Sequence, residues 1–485
     1  MHYINGLWVD KGGHAFTSTN PANNQILWQG KAADAALVDE AVAAARAAFP
    51  GWAAQGYEGR LLLLEAFKGL ISNKKDELAL AIAQETGKAM WDAKAEAAAV
   101  MAKLTYTTEA YLERTGSKSR HSPVGNAVVN HRPHGVMAVF GPYNFPAHLP
   151  NGHIMPALLA GNTIVFKPSE QTPMVAEWVV KQWHEAGLPP GVLNLVQGER
   201  DTGVALANAK VDGILFTGSS ATGKAIHAQL GGRPEIILAL EMGGNNPLIV
   251  GEVSNLKAAV FETMLSAFTG TGQRCTCARR LIIPSGKNRD DFIAQLLSAT
   301  AALTIGAYNT QPEPFMGPLI SMREATRLLE AQDRLEKLGG KVLLRMRQLQ
   351  AGLPFVTPAI IDMTGVKNVP DEEYFGPLLQ LYRVATLDEA VVLANATQFG
   401  LSAAVLCDDH AVFQQVSGKL RAGLVNWNRQ TTGASGAGPF GGVGVSGNHR
   451  PAGYYAADYC AYPVASVEAD ALELPAQLPP GIFIG

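Results

Sequence analysis

Residues 270–277, Gly-Thr-Gly-Gln-Arg-Cys-Thr-Cys, contain the side chain best suited to nucleophilic chemistry in this sequence, the thiol of Cys275. Glycines ahead of a cysteine let the backbone approach a substrate closely. A thiol becomes a strong nucleophile where nearby cations favour its thiolate, and Arg274 is its neighbour in the sequence. The alternative is that Cys275 is a small buried hydrophobic residue, as many cytosolic cysteines are. The octapeptide alone leaves both interpretations open.

Polar residues that could assist such a thiol follow apolar stretches elsewhere in the chain. Glu241 comes directly after residues 236–240 and suits either a general base or a helix cap. Asn144 lies between two prolines, where its amide could donate to an oxyanion or cap a turn. Glu373 is by default a surface residue.

Residues 218–223, Gly-Ser-Ser-Ala-Thr-Gly, are the best phosphate-binding candidate because they join a predicted strand to a predicted helix. Free amides and the helix dipole favour an anion there, although a simple glycine-containing helix cap is the alternative. The spacing is not GxGxxG, so a dinucleotide would bind in an unusual way. Residues 442–447 do match GxGxxG, but Pro439 and Phe440 precede them instead of a strand, which argues against a dinucleotide fingerprint.

Lys167 and Glu170 directly follow the apolar stretch 163–166. Charged loop residues are most often solvated surface groups. The functional alternative is that Glu170 accepts hydrogen bonds from the hydroxyls of an adenosine ribose, a position in which it would also repel a 2′-phosphate.

Short apolar strands alternate with helical segments in the middle of the chain. They are predicted at residues 136–140, 163–166, 192–196, 213–217 and 236–240. The helix after the second strand has Thr172 as its predicted N-cap, Pro173 in its first turn and Gly187 as its stop. Such alternation predicts a parallel sheet, which binds ligands at the carboxyl ends of its strands. The polar residues at those ends are Asn144, Lys167, Glu170, Ser219 and Glu241.

The regions on either side complete the predicted organisation. Residues 34–49 have a helical period that Pro50 and Gly51 are expected to stop, and amphipathic helices follow over 57–115. Residues 117–136 alternate as in a β-hairpin. Residues 245–430 repeat the alternation of strand and helix, with strands near 279–283 and 402–406, and predict a second α/β domain.

Composition excludes several classes of function. A chain of 485 residues is long enough for two or three domains. A formal charge of -3 gives no electrostatic case for binding nucleic acid or a membrane surface. The four cysteines show no metal-ligand pattern, and their small number fits a reducing compartment. With neither a signal peptide nor a membrane-spanning run, the sequence predicts a soluble cytoplasmic protein without a bound metal.

Taken together, several segments resemble the aldehyde dehydrogenase superfamily, in the order and spacing of that family and across essentially the whole chain. The matching segments are residues 141–146, 166–170, 216–219, 240–244, 272–275, 373–377 and 439–442. The resemblance implies an α/β fold with two Rossmann-like domains, each built on a parallel sheet, plus a small β-extension. It assigns residues 1–114 and 134–242 to NAD binding, 243–445 to catalysis, and 115–133 with 461–485 to assembly of a homodimer or homotetramer.

The roles of single residues also follow from this resemblance. Cys275 matches the nucleophile, Glu241 the general base, and Asn144 with the Cys275 amide the oxyanion hole. Residues that match contacts of the NAD cofactor are Lys167 and Glu170 at the adenosine ribose, Gly218, Ser219 and Gly223 at the phosphates, and Glu373 with Phe375 near the nicotinamide ribose.

Three local runs resemble one subfamily, the N-succinylglutamate 5-semialdehyde dehydrogenases of bacterial arginine degradation. They are residues 148–153, 273–280, and 447–451 together with 455–461. The implied substrate is an aldehyde with two remote carboxylates, which need cationic partners if they are buried. Candidate partners are Arg274, Arg429, His449 and Arg450, each of which could instead be exposed.

Two other functions remain open from the sequence. A cysteine hydrolase or acyltransferase without redox chemistry could use Cys275 and Glu241 alone. A catalytically silent structural member of the same fold is the second alternative, against which the presence of both residues argues.

Overall fold

Two seven-stranded sheets with helices on both faces form the frame of the computed structural model, which describes residues 1–123, 125–475 and 477–484. The first third of the chain contains β1 (His2–Ile4), β2 (Leu7–Val9), β3 (Ala15–Thr19), β4 (Ile26–Lys31), α1 (Ala35–Ala54), α2 (Gly56–Asn73), α3 (Lys75–Thr86), α4 (Met90–Arg114), β5 (Ser117–Ser122) and β6 (Gly125–Pro133). Next come β7 (Val136–Phe140), α5 (His148–Ala160), β8 (Thr163–Lys167), α6 (Pro173–Glu185), β9 (Leu193–Leu195), α7 (Arg200–Asn208), β10 (Gly213–Gly218), α8 (Ser220–Gln229) and β11 (Ile237–Met242).

The rest of the chain begins with the strands and helices of the second sheet. These are β12 (Asn246–Val250), α9 (Leu256–Phe268), β13 (Ala278–Ile283), α10 (Arg289–Ala301), α11 (Met322–Lys337), β14 (Lys341–Leu344), β15 (Ala359–Asp362), β16 (Leu378–Arg383), α12 (Leu387–Asn395), β17 (Ser402–Leu406), α13 (His410–Ser417) and β18 (Leu424–Trp427). The C-terminal elements are β19 (Pro439–Phe440), β20 (Ala452–Gly453), α14 (Ala456–Cys460) and β21 (Ala461–Glu468).

The first sheet has the order β11-β10-β7-β8-β9-β1-β2, and the strands from β11 to β9 are parallel. Consecutive residues of β7 enter opposite cores: Met137 packs with α2 to α6, and Val136 packs with α1, α7 and α8. Both faces are therefore buried, which is why the strand sequence is apolar throughout instead of alternating. Register places Phe140 opposite Lys167 and Thr217 opposite Glu241, so the strand ends meet at one edge.

The second sheet has the order β14-β15-β16-β13-β12-β17-β18, with only β14 antiparallel. Helices α11 to α13 cover one face, and α9 and α10 cover the other. The predicted parallel α/β architecture is confirmed for both sheets. The sequence predictions near 279–283 and 402–406 identified two of these strands and missed the other five, which are short and carry no regular alternation.

Two local predictions were wrong in detail. Pro50 does not stop the first helix, because α1 continues to Ala54 and the Trp52 side chain is buried with its Nε1 donating to the Leu158 carbonyl at 3.1 Å. Thr172 occupies the N-cap position of α6 without making a side-chain cap. The buried Glu85 carboxylate caps this helix instead, accepting from the Met174 and Val175 amides at 2.9 and 2.8 Å.

A third sheet joins two distant segments of the chain in the order β21-β6-β5, antiparallel throughout. Its strands come from the predicted hairpin and from the C-terminal tail, and much of their side-chain surface is exposed. None of the described helices is long and apolar enough to cross a membrane.

Candidate active site

The loop that carries Cys275 begins with three consecutive residues in left-handed backbone conformation. After α9 ends, Gly270, Thr271 and Gly272 have φ values of 63°, 57° and 68°. Any Cβ at position 272 would collide with the backbone of Gly376, so the chain needs glycine there to pass this close. The turn brings the Cys275 side chain to the edge of a cleft, where it is partly exposed.

Two side chains that the sequence analysis did not identify hold this loop in place. The fully buried Arg279 donates to the carbonyls of Gly272 at 2.7 Å and Arg274 at 2.9 Å. The Asn246 amide donates to the carbonyls of Cys275 at 2.7 Å and Cys277 at 2.8 Å. Nothing in the sequence distinguished either residue from an ordinary strand residue, because their partners lie in the folded loop.

Asn144 lies along the same cleft as Cys275. Its side chain is buried, and its Nδ2 donates one hydrogen bond to the Gln273 carbonyl at 2.9 Å. This bond orients the amide and leaves its second hydrogen available. The backbone amide of Cys275 has no hydrogen-bond acceptor within the described ranges. Both donors therefore lie beside the cleft that exposes the thiol.

Electrostatics at the thiol differ from the sequence prediction. Burial, together with the nearby Glu373 and Glu241 carboxyl groups, raises the pKa of Cys275 to about 12. Arg279 is the cation that opposes this rise. Arg274, the cation adjacent in sequence, forms an ion pair with Asp92, and its guanidinium lies 5.0 Å from the centre of the Phe145 ring.

Glu241 lies in β11 and points into the same cleft. Its side chain is 3% exposed, and its Oε1 accepts a hydrogen bond from the Ala452 amide at 3.2 Å. Its Oε2 has no partner in the part of the chain that the structure describes. Burial raises the pKa of this carboxyl group well above its usual range. A buried carboxyl group with a free oxygen and a raised pKa has the properties of a proton-transfer group.

Glu373 and Phe375 lie along the wall of the cleft near the nucleophile. The Glu373 Oε1 accepts from the Gly244 amide at 3.3 Å and lies 3.8 Å from Nη2 of Arg279. Burial raises its pKa to about 7. The Phe375 ring packs edge-on against Tyr143 with 6.0 Å between ring centres. Glu373 is therefore not a surface residue, in contrast to the default expectation for a glutamate.

The cleft itself has a volume of about 1080 Å³ and lies at the carboxyl ends of β7, β8, β10 and β11. Lys167 is buried there with its Nζ donating to the Pro168 carbonyl at 2.7 Å, and Glu170 is partly exposed at the rim. Ser219 caps α8 by accepting from the Thr222 amide at 3.2 Å. A Cβ at Gly223 would collide with the Met242 side chain, so this glycine lets the helix pack on the sheet.

A dinucleotide fits this cleft in size and chemistry. The volume matches that of a large ligand pocket, the amino end of α8 faces it, and Lys167 and Glu170 place a cation and a carboxylate at the carboxyl end of β8. Gly218 and Ser219 are at the junction that the sequence analysis selected for phosphate. Pro439 and Phe440 form the two-residue antiparallel strand β19, so the expectation that no strand precedes residues 442–447 was wrong. The segment that follows is a short 3₁₀ helix at Gly444–Ser446 and not an α-helix, so residues 442–447 still lack the strand-to-helix setting of a dinucleotide fingerprint.

The four residues suggested for the substrate carboxylates are not brought together. Arg429, His449 and Arg450 are exposed, and Arg429 is 3.9 Å from Glu262 at the surface. Arg274 is close to the nucleophile but already paired with Asp92. None of the four lies along the cleft that contains Cys275.

Comparisons with known proteins identify a family. A family model described as "Aldehyde dehydrogenase family" matches residues 8–463. The N-succinylglutamate 5-semialdehyde dehydrogenase of Burkholderia ambifaria is 56% identical over 481 residues, covering 99% of both proteins. An aldehyde dehydrogenase of Bacillus cereus, solved as a complex with NAD⁺, superposes with a TM-score of 0.90 at 30% identity, covering 97% of this chain and 96% of that one. A crystal structure described as a putative aldehyde dehydrogenase from Burkholderia cenocepacia gives a TM-score of 0.90 at 31% identity, covering 98% and 99%.

Proposed function

The chain belongs to the aldehyde dehydrogenase family, and we propose that it oxidises N-succinyl-L-glutamate 5-semialdehyde to N-succinyl-L-glutamate with NAD, a step of arginine catabolism. The observation that supports the chemistry most directly is that Cys275, Glu241 and Asn144 lie along one cleft large enough for a dinucleotide. The substrate is inferred from the 56% identity to relatives with that name.

Cys275 forms the covalent bond to the substrate in this proposal. Its thiolate sulfur adds to the aldehyde carbon, and the carbonyl oxygen becomes an oxyanion. The Asn144 amide, oriented by its bond to the Gln273 carbonyl, donates to that oxyanion together with the Cys275 amide. When NAD is bound, it supplies the hydride acceptor and a positive charge that favours the thiolate. Loss of hydride from the tetrahedral adduct leaves a thioester on Cys275.

Glu241 completes the cycle. Its carboxylate takes a proton from water, the resulting hydroxide adds to the thioester, and the sulfur leaves as thiolate. The partner-free Oε2 is the oxygen with room to accept that proton. A non-redox hydrolase would need only Cys275 and Glu241, whereas the strand-end groups Lys167 and Glu170 lie in the same cleft without a role in hydrolysis.

The cofactor contacts follow the same cleft. We assign Lys167 and Glu170 to the adenosine ribose, Gly218, Ser219 and Gly223 to the phosphates, and Glu373 with Phe375 to the nicotinamide half. Lys167, Glu170, Gly218 and Ser219 line the cleft at the carboxyl ends of β8 and β10, which supports the assignment. Glu373 and Phe375 line it from the loop before β16.

We extend the proposal to the assembly of the enzyme and to its location in the cell. The exposed strands of the third sheet suit residues 115–133 and 461–485 for contacts in a homodimer or homotetramer, since Tyr462 and Val467 are 41% and 63% exposed. Four free cysteines fit a cytoplasmic enzyme.

Steady-state assays of the purified enzyme test the function directly. We expect reduction of NAD in the presence of N-succinylglutamate semialdehyde, with a higher kcat/KM than for a short neutral aldehyde such as propanal. Formation of the acid without reduced cofactor would instead indicate a hydrolase. A preference for propanal would contradict the substrate and leave the dehydrogenase activity intact.

A further inference from the structure

One face of α4 connects the nucleophile loop with the glycine-rich loop 433–447. Residues spaced by three or four positions share a helix face, and along this face lie Asp92, Glu96, Lys103 and Tyr106. Asp92 pairs with Arg274, next to the nucleophile. At the other end, the Tyr106 ring packs so closely on Gly436 that no Cβ would fit there. The face therefore extends from the loop of Cys275 to the loop 433–447.

The cations near this face are paired, with one exception. Lys88 is buried against Glu96 at 2.6 Å, and Arg274 is held by Asp92. Lys103 has neither an ion pair nor a hydrogen bond within the described residues, although it is largely enclosed. Burial alone lowers the pKa of Lys103 to about 8. An enclosed ammonium group without a counter-ion is costly in free energy, which is recovered when an anion binds beside it.

Helix α5 relates Lys103 to the catalytic cleft. Leu149 lies along the cleft with Cys275. Gly152 is three residues further along α5, on the same side of the helix. The absence of a side chain at Gly152 leaves room for Lys103, whose Nζ lies 3.6 Å from the position that a Cβ would occupy. The ammonium group therefore lies about one turn of α5 away from the part of that helix that lines the cleft.

The surroundings of Lys103 leave one positive charge without compensation. His148 stays neutral, because burial and the charges of Lys103, Lys88 and Arg274 hold its pKa well below the usual range. Glu96 is engaged by Lys88 and by the Ala147 and His148 amides, the latter two at 3.0 and 3.1 Å. No carboxylate of this cluster is left for Lys103.

We propose that Lys103 binds the terminal carboxylate of the N-succinyl group while the aldehyde lies at Cys275. This assignment rests on the proposed substrate, whose succinyl carboxylate is its anionic group farthest from the aldehyde. Lysine suits such a site as a compact point charge on a long stem. It also supplies the cation that Arg429, His449 and Arg450, all exposed, do not bring to the cleft.

The experiment compares two substrates that differ only in the carboxymethyl group that bears this carboxylate. N-succinylglutamate semialdehyde carries it, and N-acetylglutamate semialdehyde keeps the amide and the α-carboxylate but lacks it. In K103M, we expect KM for the N-succinyl substrate to rise about 10- to 100-fold, with kcat changed less than about threefold. The effect on the N-acetyl substrate should stay below about threefold. K103Q should behave like K103M, and K103R should recover part of the affinity.

Lys94→Met is the matched control, because Lys94 is exposed on the opposite face of the same helix. Lys94→Met should leave KM and kcat unchanged for both substrates. Thermal unfolding adds a readout that separates binding from structure: K103M should unfold at the same or a higher temperature than wild type, since it removes a buried unpaired charge. A structural lysine would give the opposite shift.

Three results would overturn the assignment. Equal losses on both substrates in K103M would show a general effect on the site. An unchanged KM for the N-succinyl substrate, in an enzyme that prefers it, would exclude Lys103 and leave the proposed function standing. A wild type without preference for the N-succinyl over the N-acetyl substrate would refute the proposed substrate itself and this assignment with it.

Discussion

Replacing Glu241 by glutamine separates the two halves of the reaction while preserving the shape of the site. The glutamine carbonyl can keep the hydrogen bond that Oε1 accepts from the Ala452 amide at 3.2 Å. Its NH₂ group takes the place of Oε2, which has no partner in the described ranges. Glutamine cannot accept a proton from water, so the thioester should form once and then persist.

The size of the effect follows from the isolation of this carboxyl group. A positioned general base contributes about 10²- to 10⁴-fold to a rate. Glu241 is 3% exposed, so a base from bulk solvent has little access to take over its role. We therefore expect a loss of about 10³-fold in steady-state kcat, equivalent to about 4 kcal/mol. The first turnover should keep its amplitude and nearly its wild-type rate.

The pH dependence of deacylation and of stability tests the same role of Glu241. Because burial raises the pKa of Glu241 in the folded protein, the base form increases with pH, and wild-type deacylation should accelerate accordingly. The folded state also holds this proton more tightly than the unfolded chain. Glu241 therefore lowers stability as pH rises above the usual carboxyl range, by about 1.4 kcal/mol for each unit of raised pKa. E241Q should lose both dependences.

Rapid mixing with excess aldehyde and NAD measures the burst of reduced cofactor and the steady rate in one trace. Acid quenching followed by mass spectrometry detects the acyl group on Cys275. A lost burst with unchanged deacylation, or a steady-state loss below about tenfold, would refute the assignment of Glu241 as base.

Further substitutions test the remaining parts of the site. Cys275→Ala should reduce oxidation below about a hundredth of wild type with NAD affinity within a few-fold by fluorescence titration, whereas Cys277→Ala, which removes a buried thiol, should stay active. Asn144→Ala should lower kcat by about 10²- to 10³-fold for loss of one oxyanion donor, and a loss below tenfold would exclude that role. The kcat/KM with NAD should exceed that with NADP, because Glu170 would face the 2′-phosphate of NADP with like charge. Glu170→Gln should reduce this ratio of the two kcat/KM values. Equal kcat/KM values for the two cofactors in the wild type would place Glu170 away from the ribose.

Much of the candidate site could be predicted from local sequence. Alternating apolar strands and helices require a parallel sheet, and in such a sheet the strand ends meet at one edge. Asn144, Lys167, Ser219 and Glu241 lie at the carboxyl ends of different strands, and the structure gathers them along one cleft for that reason. The glycines ahead of the nucleophile also pointed to the site from the sequence alone. Gly270 and Gly272 have left-handed backbone conformations, which favour glycine.

Local rules failed where packing opposed them. Pro50 favours a helix stop, but burial of Trp52 against α5 keeps the chain helical for another turn. Thr172 is a good capping residue by type, yet Glu85, remote in sequence, supplies the acceptors for α6. In both cases a contact between distant segments outweighed a local preference, of about 3 kcal/mol for proline in a helix and about 0.5 to 2 kcal/mol for the helix cap.

The pairing of charged side chains was the property that could least be predicted from the sequence. Arg274 is next to the nucleophile in the chain, but it forms an ion pair with Asp92 on α4. Arg279 is the cation that lowers the pKa of the thiol. Lys94 and Lys103 are both lysines of one helix, and only the packing of α5 at Gly152 encloses one while the other stays in solvent. Residue order thus determined which groups stand at the strand ends. The tertiary structure decided which charges are paired and which remain available for a substrate, because pairing depends on distances between segments far apart in the chain.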